Sequence, residues 1–575
     1  MTSKPTIVPI FRFLPLFALF SLAFGCRQAP LVPYEAEQSV YYEGAAVVTG
    51  HPLASDVGEQ ILAKGGNAVD AAVAVQLALA VVYPRAGNIG GGGFLVYRGA
   101  DGVLDALDYR EKAPSGASRN MYLDSLENPI DGLSTKGHLA AGVPGTVAGL
   151  VAAHEKYGTL AWSDLVQPAI DLAQAGYIIS ETEANRLNDY QEGIASFNDA
   201  SCAFVKENWQ TGDLLQQTDL AATLGRIRDN GQAGFYEGET AELIVAEMQS
   251  ENGLITTDDL ANYQASWREP VVGSYDNYRI ISMPPSSSGG VALLQMLGMV
   301  EDFPLHEQGF HSTAATHLMV EAERRAYADR AEYLGDSDFY PVPIDSLTDK
   351  AYLEGRMADF NPEQASKSEA LAAGSFTNMK ESFETTHTSI VDKDGNAVSL
   401  TTTLNSNYGC KVVVDGGGFF LNNEMDDFSI KPGTPNQFGL VGAEANAIAP
   451  GKRMLSSMTP SIIEKDGELF LVLGAPGGST IITAVFQVFV NVAEFNMPLD
   501  SAVWAPRFHH QWLPDQIWVE PTALGDKVKE ELAAMGHEFR DVNRMAVIKA
   551  IQKLPDGRYH AVGDFRNPDD DVSGF

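Results

Sequence analysis

The chain has 575 residues, 45% hydrophobic and 20% charged, and its 75 acidic against 39 basic side chains leave a formal net charge of −36. A surface this acidic repels nucleic acid and anionic lipid, and the composition is that of a globular protein with length enough for two to four domains or one large core. At the N-terminus, Lys4 and Arg12 precede the apolar run FLPLFALFSLAFG, long enough for a signal-peptide core and too short to span a bilayer. Residues 1–25 therefore read as an export signal, which places the protein in the periplasm or at the cell envelope. Cys26 follows in LAFGC, where a small residue before Cys suits lipoprotein processing while Ala23 and Phe24 fit that pattern poorly. A lipid anchor on Cys26 and plain signal cleavage both stand. Cys202 and Cys410 are too few for a disulfide scaffold, and sequence leaves their pairing open.

After a polar spacer, AAVVTG is a first strand candidate. Pro52 opens a helix, Gly65 and Gly66 close it, and Asn67 caps the next, Ala68 to Val82, which is apolar nearly all round and so belongs between a sheet and another layer. GNIGGGGFLVYRGADGVLDALDYRE holds two short strands joined by a turn at Asp101-Gly102. The middle of the chain is read as amphipathic helices, VAGLVAAHEKYG and HLMVEAERRAYADRAEYLG among them. The segment from Pro362 to Glu384 is small, polar and aperiodic, the best linker in the sequence. From Thr386 the pattern turns to strands: THTSIVD, a KDGN turn and AVSLTTTL form a hairpin. GELFLVLGAPGG, STIITAVFQVFVNVAEF and RMAVIKAIQKLPDGRYHAV follow as strand, helix and another hairpin.

Several chemistries are missing: there is no G-x-S-x-G elbow, no H-E-x-x-H, no cysteine ligand cluster and no phosphate loop with its Lys. No metal or other cofactor is expected. His509 and His510 are adjacent and point different ways on regular structure, which favours packing over metal binding. The run Gly90 to Gly93 favours close backbone packing over phosphate binding, because no G-x-G-x-x-G opens a helix there. What remains is a hydroxyl nucleophile with its own base. A Thr at a freshly made chain terminus carries a free α-amine of pKa about 7.7 to 8.0 beside its hydroxyl, and Thr385, behind an exposed polar linker, could become one. The alternative is a β-branched residue opening a strand.

At this point the chain closely resembles the γ-glutamyltransferase family, or glutathione hydrolases. The resemblance runs from AAVVTGHPLAS to the last residues and is carried by GGNAVDAAVAVQLAL, DYREKAP, GVPGTVAGL, PPSSSGG, AYADRAEYLGD, TTHTSIVDKDGNAVSLTTTLN, LNNEMDDFS, KRMLSSMTP, GAPGGS and APRFHHQWLPD in that order. It implies an α/β N-terminal-nucleophile hydrolase fold: two stacked, mainly antiparallel sheets between helical layers, in αββα order. It also implies self-cleavage between Glu384 and Thr385, into a large chain of residues 26–384 and a small catalytic chain of 385–575 that form one folded unit.

Carried over by position, the resemblance makes Thr385 the nucleophile that forms a γ-glutamyl ester, Thr403 the partner of its hydroxyl, and the Gly477 and Gly478 N–H groups the oxyanion hole. Arg110 with Ser456 and Ser457 would take the α-carboxylate of the substrate; Asn405, Glu424 and Asp427 would take its α-ammonium. Relatives carry Gln or Glu at position 424, and Glu adds negative charge there. The implied substrates are glutathione and other γ-glutamyl compounds, with water, amino acids or dipeptides as acceptors. KPGTPNQFGLVGAEANAIAPGKR resembles the family's lid loop, but Phe438 stands where several bacterial members carry Tyr, so a lid bond through that hydroxyl is lost. YPRAGNIGGGG departs from the usual acidic-Pro-Gln pattern, implying a changed outer pocket. Two alternatives remain: a cephalosporin or glutaryl acylase of the same fold, against which the acids at 424 and 427 argue, and an inactive binding relative, against which the intact Thr385, Thr403 and glycine pair argue.

Overall fold

The computed structural model of the chain describes residues 1–2, 34–371 and 385–575. The expected export signal, Cys26, Glu384 and most of the 362–384 linker thus lie outside the described residues. Among those described, no helix is long and apolar enough to cross a membrane, and Cys202 and Cys410 are free thiols.

Two seven-stranded sheets carry the structure. In the first, the strands run Ser39–Tyr42, Tyr559–Val562, Lys549–Lys553, Glu468–Gly474, Ser461–Lys465, Tyr278–Ser282 and Val271–Tyr275 in spatial order. In the second they run Asp571–Gly574, Ala46–Thr49, Thr386–Val391, Ala397–Thr403, Gly92–Arg98, Leu104–Asp108 and Ser266–Arg268. Neighbours within each sheet are antiparallel throughout. Helices Gly289–Val300, Thr313–Tyr333 and Thr480–Ala493 share one apolar core with the first sheet, and helices Pro52–Ala63, Ala68–Val82, Thr146–Tyr157 and Trp162–Ala175 share another with the outer face of the second. The expected four-layer αββα sandwich is what forms.

The local sequence signals account for much of this. Asn67 caps Ala68–Val82 by accepting from the Val69 and Asp70 N–H groups, and the Asp70 carboxylate accepts in return from the Asn67 N–H at 3.0 Å. Every residue of that helix is buried, as its all-round apolar surface demands. The Gly90 to Gly93 run proves to be close packing: a Cβ on Gly91 would lie 2.1 Å from the Thr403 carbonyl oxygen, and one on Gly90 would lie 2.3 Å from that of Phe420. The helix Thr313–Tyr333 corrects the amphipathic reading. From Ala315 to Ala331 it is buried without a break, with Glu321 paired to Arg324 and Arg325, and Asp329 to Arg356.

The hairpin Thr386–Val391/Ala397–Thr403 pairs Thr386 with Thr402 and Val391 with Ala397. Its alternation is real, yet neither face meets water. Ile390, Val398 and Leu400 face the helices, while the polar face turns towards the other sheet and bonds to it. There the Ser389 hydroxyl donates to the Lys549 carbonyl (3.1 Å), and the Ser399 hydroxyl donates to the Leu473 carbonyl (3.0 Å) and accepts from the Ser461 N–H (2.9 Å). His387 is bonded to Thr401 Oγ1 at 2.8 Å and packs so tightly on the opposite sheet that a Cβ on Gly474 would come within 2.3 Å of its ring. Burial lowers the His387 pKa, further depressed by Lys549, so the imidazole is neutral.

Candidate active site

Strand alternation places Thr385 on the same inner face as His387 and Ser389, and the hairpin register sets it opposite Thr403. Thr385 is 5% exposed. On the facing sheet the strand Glu468–Gly474 ends, and the chain turns through Gly477 (φ 147°) and Gly478 (φ 54°) into the helix Thr480–Ala493. Both glycines occupy left-handed backbone that a side chain disfavours, and a Cβ on Gly477 would lie 2.6 Å from the Ala546 Cα. The Thr480 hydroxyl locks the turn by donating to the Gly477 carbonyl at 2.8 Å. Among the described residues, nothing accepts a hydrogen bond from the Gly477 or Gly478 N–H.

Thr385, Thr403 and Gly478 line a cavity of about 340 Å³, part of it open to solvent, together with Arg110, Arg330, Asn405, Asp427, Phe438, Ser456 and Ser457. Of the residues singled out by sequence, Gly477 and Glu424 do not reach its wall. Gly477 adjoins Gly478, and Glu424 lies fully buried behind Arg110, its Oε2 2.7 Å from Nη1. The Arg110 Nη2 donates to Asp427 Oδ2 at 2.5 Å, so residues expected at opposite ends of a zwitterion are paired with each other. Glu111 adds a third carboxylate, 3.6 Å from Nη1. Burial pushes all three acids up against the pull of Arg110: Glu424 well above the ordinary range, Asp427 in the same direction, and Glu111 up to about 7. Burial works against the Arg110 charge as well, but the carboxylates outweigh it and strengthen its hold on its proton.

The acidic turn Glu424–Asp427 is positioned by the two asparagines before it. Asn422 donates to the Gly90 (2.9 Å) and Gly142 (2.8 Å) carbonyls and accepts from the Glu424 N–H (3.0 Å). The Asn423 carbonyl accepts from Asn405 Nδ2 at 3.0 Å, while the Asn405 N–H donates to Thr403 Oγ1 at 2.6 Å. Asn405 sits at φ 73°, a left-handed conformation Asn tolerates. A chain of bonds thus runs from the acidic turn to the threonine opposite Thr385. On the other wall, the Ser456 carbonyl accepts from the Ser288 hydroxyl (2.6 Å), and Ser457 Oγ accepts from Arg330 Nη2 (3.1 Å).

Phe438 packs its ring over Gly478, where a Cβ would stand 3.0 Å from it, and shares the cavity wall with Leu440. The Phe438 segment is held by neighbours that sequence reading passed over. Asn436 Oδ1 accepts from the Phe438 (3.0 Å) and Leu440 (3.2 Å) N–H groups, and Asn436 Nδ2 donates to Asp427 Oδ1 (3.3 Å). The Gln437 N–H donates to Asp426 Oδ2 (2.9 Å), and Gln437 Oε1 accepts from the Ser406 hydroxyl (2.8 Å). The unusual YPRAGN stretch stays off the cavity wall: Arg85 is buried and donates to Asn407 Oδ1 at 3.0 Å. Ordinary packing also holds the histidine pair, His509 against Thr483 and Gln511 and His510 against Asp515. The residue most conspicuously missed is Arg330. It lies within AYADRAEYLGD, but a helix read as amphipathic gave no reason to send its Arg inward.

Comparison with known proteins follows this geometry. The family described as gamma-glutamyltranspeptidase matches residues 54–573. The chain belongs to that family. It is 46% identical to the glutathione hydrolase proenzyme of Escherichia coli (strain K12), across 100% of both chains. The solved gamma-glutamyltranspeptidase of Helicobacter pylori is 46% identical over 59% of this chain and 95% of its own, with a TM-score of 0.54. The cephalosporin acylase from Bacillus halodurans, 26% identical, superposes over 96% of this chain and 99% of its own, with a TM-score of 0.81. An enzyme of the γ-glutamyltranspeptidase family, expected from sequence, is thereby borne out, and the acylases are related through the same fold.

If Asn436 holds the Phe438 segment, Asn436→Ala will speed proteolytic nicking between residues 431 and 442 without lowering the melting temperature. Limited proteolysis followed by mass mapping reads this directly, and an unchanged nicking rate refutes it.

Proposed function

We propose that this family member is a self-cleaving γ-glutamyltransferase and glutathione hydrolase in which Thr385 is the nucleophile. The observation that carries the reading is the small cavity joining Thr385 to a cluster of two guanidiniums and buried acids, a set of groups suited to an α-amino acid and superfluous for a plain acyl chain. The glutaryl-acylase reading founders on that point, because Asp427 on the cavity wall, backed by the buried Glu424, would face a tail with no ammonium.

Cleavage of the Glu384–Thr385 bond creates the Thr385 α-amine. That amine takes the proton from the Thr385 hydroxyl as Oγ1 bonds to the γ-carbonyl carbon, and returns it to the departing amine as the amide C–N bond breaks. Thr403 hydrogen-bonds the nucleophile's hydroxyl. Gly477 and Gly478 present their N–H groups to the oxyanion, a class of donor whose loss typically raises the barrier by about 3 to 4 kcal/mol. Asp427 and Asn405 receive the α-ammonium, Glu424 adds its negative charge from behind the cavity wall, and Ser456 and Ser457 donate to the α-carboxylate with Arg110 behind them. The γ-glutamyl ester then passes to water, an amino acid or a dipeptide.

Thr385→Ala is expected to remain a single uncut chain on a denaturing gel and to release no anilide from a γ-glutamyl anilide; two-chain maturation in that variant would sink the assignment. Asp427→Ala should fold and mature yet lose at least about 30-fold in kcat/KM for the anilide, the low end for truncating one partner of a buried charge pair. We further propose export through residues 1–25 with lipid attached at Cys26. A mature N-terminus lacking the added acyl mass, read by intact-mass spectrometry, excludes the anchor.

A further inference from the structure

Arg330 ends a buried helix with its guanidinium at the wall of the catalytic cavity and is only 4% exposed. Its polar contacts are with hydroxyls: Nε donates to Ser288 Oγ at 2.9 Å and Nη2 to Ser457 Oγ at 3.1 Å. Among the described residues, no carboxylate lies within 4.0 Å of it. The contrast with other buried arginines is sharp. Six of them, Arg98, Arg110, Arg324, Arg325, Arg453 and Arg507, each meet an Asp or Glu at that range. A buried cation without an anion pays several kcal/mol of desolvation, and that burial lowers the Arg330 pKa despite the more distant field of Asp427. The companion guanidinium, Arg110, is meanwhile saturated by Glu424 and Asp427.

The cavity therefore holds one neutralised cation and one uncompensated cation. Ser457 Oγ accepts from Arg330, which leaves the Ser457 proton free to point into the cavity. We infer that Arg330 is the specificity-determining positioning residue for the α-carboxylate of the γ-glutamyl donor, supplying its counter-charge and orienting the Ser457 hydroxyl to donate to it. The inference rests on the γ-glutamyl reading above and adds a division of labour to it. Arg110, already paired with the acids beside the ammonium, and Arg330, with no acid of its own among the described residues, then share the carboxylate.

The test compares two donors on the mature two-chain enzyme: γ-glutamyl-p-nitroanilide and 4-aminobutyryl-p-nitroanilide, which differ by the α-carboxylate alone. Arg330→Gln keeps hydrogen-bonding capacity and removes the charge. It should raise KM for the γ-glutamyl donor about 30-fold or more, with kcat within a few-fold, and leave kcat/KM for the decarboxylated donor within about 3-fold, so that discrimination between the two collapses. Arg330→Lys, which keeps a buried charge, should restore most of the discrimination. Equal losses on both donors in either variant, or an unchanged γ-glutamyl KM in Arg330→Gln, overturns the inference. If Arg330→Gln fails to mature, Arg330→Lys decides by the same comparison. Wild-type enzyme inactive on the γ-glutamyl donor would instead refute the underlying function, so the two failures are distinct.

Discussion

The hydrogen bonds that cross between the two sheets are the constraint on which the site depends. Ser389, Ser399 and their neighbours on the hairpin's inner face bond to the backbone of the facing sheet, which fixes the hairpin's register as well as its position. A slip of one residue would turn Ile390, Val398 and Leu400 inward and the hydroxyls outward, against an apolar helix layer. Because the register holds, Thr385 and Thr403 fall on the inner face, where the opposite sheet delivers Gly477 and Gly478. The geometry of the candidate site is a by-product of how two sheets are stitched together, with no element devoted to it alone.

Charge burial is the second organising theme. Placing Arg110, Glu111, Glu424 and Asp427 out of water is costly, and the fold recovers the cost only by pairing them and by seating the acidic turn on Asn422 and Asn423. The Phe438 segment shares the same turn, since Asn436 bonds to Asp427 and Gln437 to Asp426, so the acids and the segment over Gly478 are held by one stretch of chain.

Much of this was legible in the sequence, and the boundary is instructive. The Asn67 cap, the fully apolar helix after it, the KDGN hairpin and the tight glycines at 90–93 are signals carried by neighbouring residues, and each appears where expected. The residues around Thr385 were legible only through motif resemblance, since a Thr-Thr strand start looks alike in any sheet. Arg330 and Asn436 were passed over for a common reason. What sets them apart is the absence of a carboxylate around one and the bonds the other makes to a turn some ten residues back, and both are properties of three-dimensional surroundings. The alternating polar residues of the hairpin have a meaning that period two alone does not carry: the pattern normally marks a wet face, and here it marks a face bonded to another sheet.

The strand orders carry one more consequence. Strands that follow Thr385 alternate in space with strands that precede it: Ala46–Thr49 lies between Asp571–Gly574 and Thr386–Val391 in one sheet, and in the other Ser39–Tyr42 and Tyr278–Ser282 flank four strands from the later part of the chain. A cut ahead of Thr385 would leave two polypeptides joined by uninterrupted backbone ladders through both cores. Such a pair has no subunit interface in the usual sense, so the pieces could part only by unfolding, and dilution would have no purchase on their association.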